Sequence, residues 1–171
     1  MLSKKIEESL NEQVKKEGYS SSLYLAMASW AEVNGLNGIS KWFYVQSDEE
    51  RLHMLKIVRY INERGGHAYV PQFEAPPVDY ENVKNAFRAV LEHEEFITAS
   101  INNIVAQCID EKDYTTHNWI QWFVNEQIEE EANARLILDK LNLVGDSSLY
   151  LFDRDIMTLR NKETSAVETG E

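Results

Sequence analysis

The chain reads as all-α: a four-helix bundle with one long crossover between its second and third helices and a short fifth helix at the C-terminus. Three observations predict this. Apart from Gly18 and Gly170, the helix breakers are clustered, at Gly35 and Gly38, at Gly65-Gly66 with Pro71 and Pro76-Pro77, and at Gly145. The stretches between clusters run about 27–32 residues, longer than an ordinary globular helix. Each stretch carries apolar residues in the 4-3 spacing of a stripe that faces a bundle interior.

The first helix is expected over 4–33, with Ile6, Leu10, Glu17, Tyr24 and Ala31 on one seam and Val14 beside it. Gly18 inside it costs about 1 kcal/mol against Ala, and nothing local accounts for it. The second helix, 38–64, carries Ile39, Phe43, Gln46, Glu50, His53, Ile57 and Tyr60 on one stripe, and Gly65-Gly66 suits its C-cap. The third, 80–111, follows Val83, Phe87, Val90, Glu94, Ile97, Ile101, Ile104 and Cys108, with Asp79 as a suitable N-cap. Cys108 reads there as a small hydrophobe. The fourth, 114–142, follows Ile120, Phe123, Gln127, Glu130, Ala134, Ile137 and Leu141, with Asp113 as its cap. The fifth, 147–160, gathers Leu149, Phe152, Ile156 and Leu159 on one face. Residues 1–160 thus form one domain, and the polar stretch 161–171 is expected to fray.

Short links make the first and second helices antiparallel, and likewise the third and fourth. The link over 65–79 is different. Fifteen extended residues reach roughly 50 Å, and a 27-residue helix is about 40 Å long. The link can cross the whole bundle and set the third helix parallel to the second.

Composition narrows the function classes. With 29 Asp+Glu against 17 Lys+Arg, the formal charge is −12. That argues against nucleic acid and anionic membranes as partners. A single cysteine excludes an intrachain disulfide and a Cys-only metal site. Met1-Leu2-Ser3-Lys4-Lys5 leads into an amphipathic pattern without a signal peptide, and no apolar run spans a membrane, so a cytoplasmic protein is expected.

Polar residues interrupt the apolar stripes at one level. The first helix supplies Glu17, the second Glu50 and His53, the third Glu94, the fourth Gln127 and Glu130. With the pairing above, all six lie roughly 20 Å from the same end of the bundle. An unpaired buried carboxylate is costly, and several together cannot all ionise without cations. No Lys or Arg sits on the seams, so a pair of metal ions is the economical solution. Carboxylates with one imidazole suit iron, manganese or zinc. Glu50-Arg51-Leu52-His53 places its two ligands at i,i+3 on one helix face. Taken singly, Glu17 or Glu94 reads as a salt-bridged carboxylate and His53 as a hydrogen-bonded core histidine; the set of four helices carries the metal reading. Tyr24, one heptad beyond Glu17, suits core packing or a hydrogen bond to a ligand. Glu126, Glu129 and Glu130 lie at i, i+3 and i+4, near Glu49, and form either a solvated face or a third ion site. His67, His93 and His117 are expected to be ordinary surface residues.

The chain resembles the bacterial non-haem ferritins over nearly its whole length. The residues that carry the resemblance are Asn11-Glu12-Gln13 through Glu17, Tyr19-Ser20-Ser21 before Tyr24, Glu49-Glu50-Arg51-Leu52-His53, His93-Glu94, and Asn125-Glu126-Gln127 with Glu129-Glu130. The resemblance implies a ferritin-like bundle assembled into a hollow 24-subunit cage. It implies ferroxidase activity, in which Fe²⁺ is oxidised by O₂ and stored as a ferric mineral. It assigns a first iron to Glu17, Glu50 and His53. A second goes to Glu94 and Glu130, with Glu50 bridging and Gln127 close by. A third goes to Glu49, Glu126, Glu129 and Glu130. Tyr24 and Trp122 match the aromatic residues beside the centre, and Asp110, Glu111 and Asp113 match the region of the three-fold channels.

Alternatives are a bacterioferritin-like protein and a non-catalytic helical-bundle subunit. Bacterioferritins carry a second E-x-x-H on the fourth helix and a haem-binding Met after the second-helix Glu. This chain has Gln127 with Glu130, and Arg51, so no haem is expected. The complete set Glu17, Glu50, His53, Glu94 and Glu130 argues against a dead subunit.

Overall fold

A computed structural model describes residues 2–145 and 148–160; the tail 161–171 lies outside the described residues. The elements are α1 (Lys4–Val33), α2 (Asn37–Glu63), α3 (Val83–Asp110), α4 (Tyr114–Val144) and α5 (Leu149–Asp155), followed by a 3-10 turn, Ile156–Leu159.

Local chemistry sets most of the boundaries. Ser3 Oγ accepts from the Ile6 amide and caps α1, and Asp113 accepts from the Thr116 amide and caps α4. α2 ends in a Schellman motif: Gly65, at φ +77°, donates to the Asn62 carbonyl, and Gly66 donates to that of Ile61. α3 begins at Val83, later than the predicted residue 80. The chain reverses at Glu81 (φ +59°), and the cap is Asn82, which accepts from the Asn85 amide. Asp79 is therefore not the cap; it accepts from the Trp30 indole and the Glu81 amide. Residue 147, the predicted start of the fifth helix, lies outside the described residues.

Cross-helix hydrogen bonds fix the helix directions. Ser21 meets Ser47 and Ser40 meets Ala28, so α1 and α2 are antiparallel. Ser9 meets Gln107 and Ser20 meets His93, so α1 and α3 are antiparallel. Gln46 meets Glu130 and Tyr60 meets Thr116, so α2 and α4 are antiparallel. It follows that α3 is parallel to α2, as the long link requires.

That link is tied along α1. The Asn11 side chain clamps it, donating to the His67 carbonyl and accepting from the Tyr69 amide, both at 3.1 Å. Further along, the ring of Phe73 lies where a Cβ on Gly18 would be, 2.2 Å from its Cζ. Gly18 is thus a seat for the crossover, a reason invisible within the helix itself.

α5 docks across the start of α2. That helix has no side-chain cap of its own. Instead, Asp153 Oδ1 accepts from the Ile39 amide at 2.8 Å. A Cβ on Gly38 would stand 1.7 Å from the Asp153 carbonyl oxygen. Because that neighbour is backbone, Gly38→Ala is expected to cost about 1–3 kcal/mol and to lower Tm by roughly 2–12 °C. A thermal melt checks this, and an unchanged Tm would show that α5 does not close on α2 there.

The core is split in two. One apolar cluster contains Met27, Phe43, Phe87, Val90, Ile137 and Phe152; the other contains Ile6, Leu10, Ile57, Ile101, Ile120 and Phe123. Cys108, as expected, packs in the second cluster, where burial pushes its thiol up to about 11. A belt of polar side chains lies between the clusters.

Candidate metal centre

The belt is made by the middle of each long helix. Glu17, Glu50 and Glu94 are each no more than 2% exposed, and Gln127 and His53 are buried beside them. Burial of this depth demands a partner for each carboxylate oxygen.

Three side chains converge most closely. Glu17, Glu50 and His53 each offer a ligand atom, and all three atoms lie within 4.8 Å of one another. His53 Nδ1 is 3.5 Å from Glu50 Oε2 and 3.8 Å from Glu17 Oε2. The His53 ring is held edge-on by Trp122 and Phe123, at centroid distances of 5.3 and 5.9 Å. Gln13, one turn before Glu17, donates to Glu17 Oε1 at 2.7 Å. Glu17 Oε2 is buried with no hydrogen-bond partner. An orphaned carboxylate oxygen aimed at a second carboxylate and an imidazole is what a bound cation would satisfy.

Glu94 lies near enough to Glu50 for its charge to act on it. It accepts from the Tyr24 hydroxyl, and at 3.1 Å from the Gln127 amide. Tyr24 is thus fully buried, with its hydroxyl satisfied by a carboxylate. Glu130 is half-buried and accepts from Gln46 Nε2 at 2.7 Å.

The electrostatics are those of acids crowded without counterions. Burial, then the charge of Glu50, holds the Glu17 carboxyl well above its ordinary value. Burial and the charge of Glu94 do the same to Glu50. Burial with Glu94 and Glu50 raises Glu130. Burial raises Glu94 too, against the hydrogen bonds from Tyr24 and Gln127. No Lys or Arg is among the buried residues described.

The outer acidic group is looser. Glu49 and Glu126 are half-buried and Glu129 is exposed. Among the described residues these do not draw together as closely as the Glu17 set. Glu129 and Glu49 do lie near enough to help raise Glu126, after burial.

Several residues answer differently from their sequence reading. His93 is not an ordinary surface residue: its ring packs on Tyr19, Tyr24 and Phe96, and Nε2 meets the Ser20 hydroxyl at 2.7 Å. Burial pushes it down to about 4. It is covered because it precedes Glu94 at the joint between α1 and α3. Asp113, by contrast, caps α4 as its position predicts and also pairs with Arg64, while Asp110 and Glu111 are exposed. Gln13 was missed, although its position four residues before Glu17 is the one signal that points to it. Arg160 was also missed; it meets Glu49 from outside the bundle, and no helical spacing relates the two.

Comparison with known proteins agrees with the helical architecture. The model of the ferritin-like domain matches residues 7–144. The bacterial non-heme ferritin of Campylobacter jejuni is 40% identical over 161 residues, 93% of this chain and 96% of that one. That of Staphylococcus aureus (strain MRSA252) is 36% identical over 160 residues, 92% and 96% of the two chains. Among solved structures, the open-pore ferritin of the hyperthermophilic archaeon Archaeoglobus fulgidus superposes with a TM-score of 0.89 at 41% identity, covering 91% of this chain and 96% of that one. With a family model over most of its length and relatives of this identity along nearly all of it, the chain belongs to the ferritin family.

Proposed function

We propose that the protein stores iron, oxidising Fe²⁺ with O₂ at the polar belt and holding the ferric product inside a 24-subunit cage. The carrying observation is the buried set Glu17, Glu50 and His53, with Glu17 Oε2 unpartnered and Glu94 close by. This donor set fits iron: hard carboxylate oxygens with one imidazole.

In this reading Glu17, Glu50 and His53 hold one substrate Fe²⁺. Glu94 and Glu130 hold a second, with Glu50 between them and Gln127 orienting Glu94. Glu49, Glu126, Glu129 and Glu130 take a third. Carboxylates favour Fe³⁺ over Fe²⁺ and so drive oxidation. Two adjacent ions each give one electron, which matches a two-electron reduction of O₂. The residues' own part is to lose protons as the cations arrive, because burial favours the protonated carboxyls and a cation favours the ionised ones. Trp122 and Phe123 fix the ring plane of His53, and Tyr24 holds one oxygen of Glu94 in place.

The test is to load metal-free protein with Fe²⁺ without air and then admit O₂. Rapid O₂ uptake and an orange product are expected, from a particle of roughly half a megadalton by sizing. A species of one subunit's mass, or O₂ uptake no faster than free Fe²⁺, would overturn the cage or the activity respectively. A haem Soret band would favour the bacterioferritin reading.

A further inference from the structure

Arg160 ends the described chain, immediately after the 3-10 turn. Its side chain lies along α2. The guanidinium sits over the Trp42 ring, 5.4 Å from the centroid, and Nη1 donates to the Trp42 carbonyl and, at 3.1 Å, to Gln46 Oε1. Nη2 donates to the Glu49 carboxylate. Trp42, Gln46 and Glu49 are at i, i+4 and i+7, one stripe of the helix. The Arg160 and Glu49 side chains are only 15% and 19% exposed, so solvent and salt screen this pair less than a surface one.

Gln46 extends the contact. Its oxygen is taken by Arg160, which leaves its NH₂ to face Glu130, where it donates at 2.7 Å. Arg160 therefore acts on two of the four carboxylates proposed for the third ion: Glu49 directly and Glu130 through Gln46. Glu17, His53 and Glu94 are not among its hydrogen-bond partners.

We infer that Arg160 is a built-in counter-cation for the outer carboxylates, competing with a metal ion for Glu49 and making the third ion the weakest bound. This rests on the metal-pair reading above. A guanidinium donating to Glu49 holds, through a charge-assisted hydrogen bond, a carboxylate oxygen that an incoming ion would take as ligand, and adds a like charge beside it. Filling the outer site then requires Arg160 to let go of Glu49, whereas Glu17 and His53, proposed for the first ion, form no hydrogen bond with it.

Calorimetric titration of the metal-free protein with Zn²⁺, which is redox-inert, counts and ranks the ions without turnover. Arg160→Gln is expected to tighten the third ion by about tenfold or more while leaving the first ion, at Glu17, Glu50 and His53, near its wild-type affinity. Arg160→Met, which keeps an apolar stem on Trp42, should do the same if the amide disturbs packing. Adding Glu126→Gln should return the third ion to wild-type weakness. Equal third-ion affinity in the wild type and both arginine variants would overturn the role of Arg160 and leave the inner pair standing. A gain that survives Glu126→Gln would also overturn it. A wild type that takes no tight ion would overturn the metal-pair reading, and this inference with it.

Discussion

Replacing Glu50 and His53 together by alanine is expected to abolish the fast phase of Fe²⁺ oxidation. Loss of a partner that only orients a metal ligand typically costs about 10–100-fold. Removing two proposed direct ligands, one of them placed between both ions, should therefore exceed about 100-fold. Glu50 is 2% exposed and carries no compensating cation, so its removal also relieves repulsion with Glu17 and Glu94. The double variant is expected to fold, because the apolar clusters on either side of the belt are untouched. Stopped-flow absorbance after mixing with aerated buffer reads the rate, and circular dichroism checks the helices. A folded variant with an unchanged initial rate would remove Glu50 and His53 from the site.

The second large effect is on stability. Glu17, Glu50, Glu94 and Glu130 titrate above the ordinary 4.5 in the folded apo-protein, chiefly through burial. Above that pH the folded chain holds more protons than the unfolded one. The stabilisation these groups give is thus complete below about pH 4.5 and is lost as pH rises through their raised folded values. Cations reverse the trend, since they replace those protons. Zn²⁺ at about 100 times its Kd adds about 2.7 kcal/mol per site, or roughly 5–11 °C in Tm for a chain of this size. At one fixed Zn²⁺ concentration the gain should be larger at about pH 7.5 than at about pH 5, because proton competition weakens Kd at the lower pH. Scanning calorimetry of apo and loaded protein at the two pH values measures it. A gain that shrinks with rising pH would contradict the protonated-belt picture.

Much of this was legible without coordinates, for a geometric reason. Helix rise is constant, so breakers that set helix lengths also set the heights of Glu17, Glu50, Glu94 and Gln127. The 4-3 stripes then turned those residues inward. Gln46 was visible on its stripe, though not its tie to Glu130. What stayed hidden depended on chain segments that no periodicity relates. Gly18 has no reason within α1 and acquires one from Phe73 in the crossover. Asp79 resembles a cap, but the turn at Glu81 passes that role to Asn82. His93 looks exposed by its position beside the seam, yet Ser20 and Tyr19 of α1 cover it.

The sequence alone determined the all-helical class, the crossover and the level of the polar belt, because helical period and rise are properties of the backbone. Only the tertiary structure decided the partners of each carboxylate. Gln13 turns to Glu17, Tyr24 to Glu94, and Arg160 to Glu49. The contacts of Tyr24 and Arg160 join residues far apart in the chain, and whether a buried charge is free or paired depends on which side chains packing brings within reach.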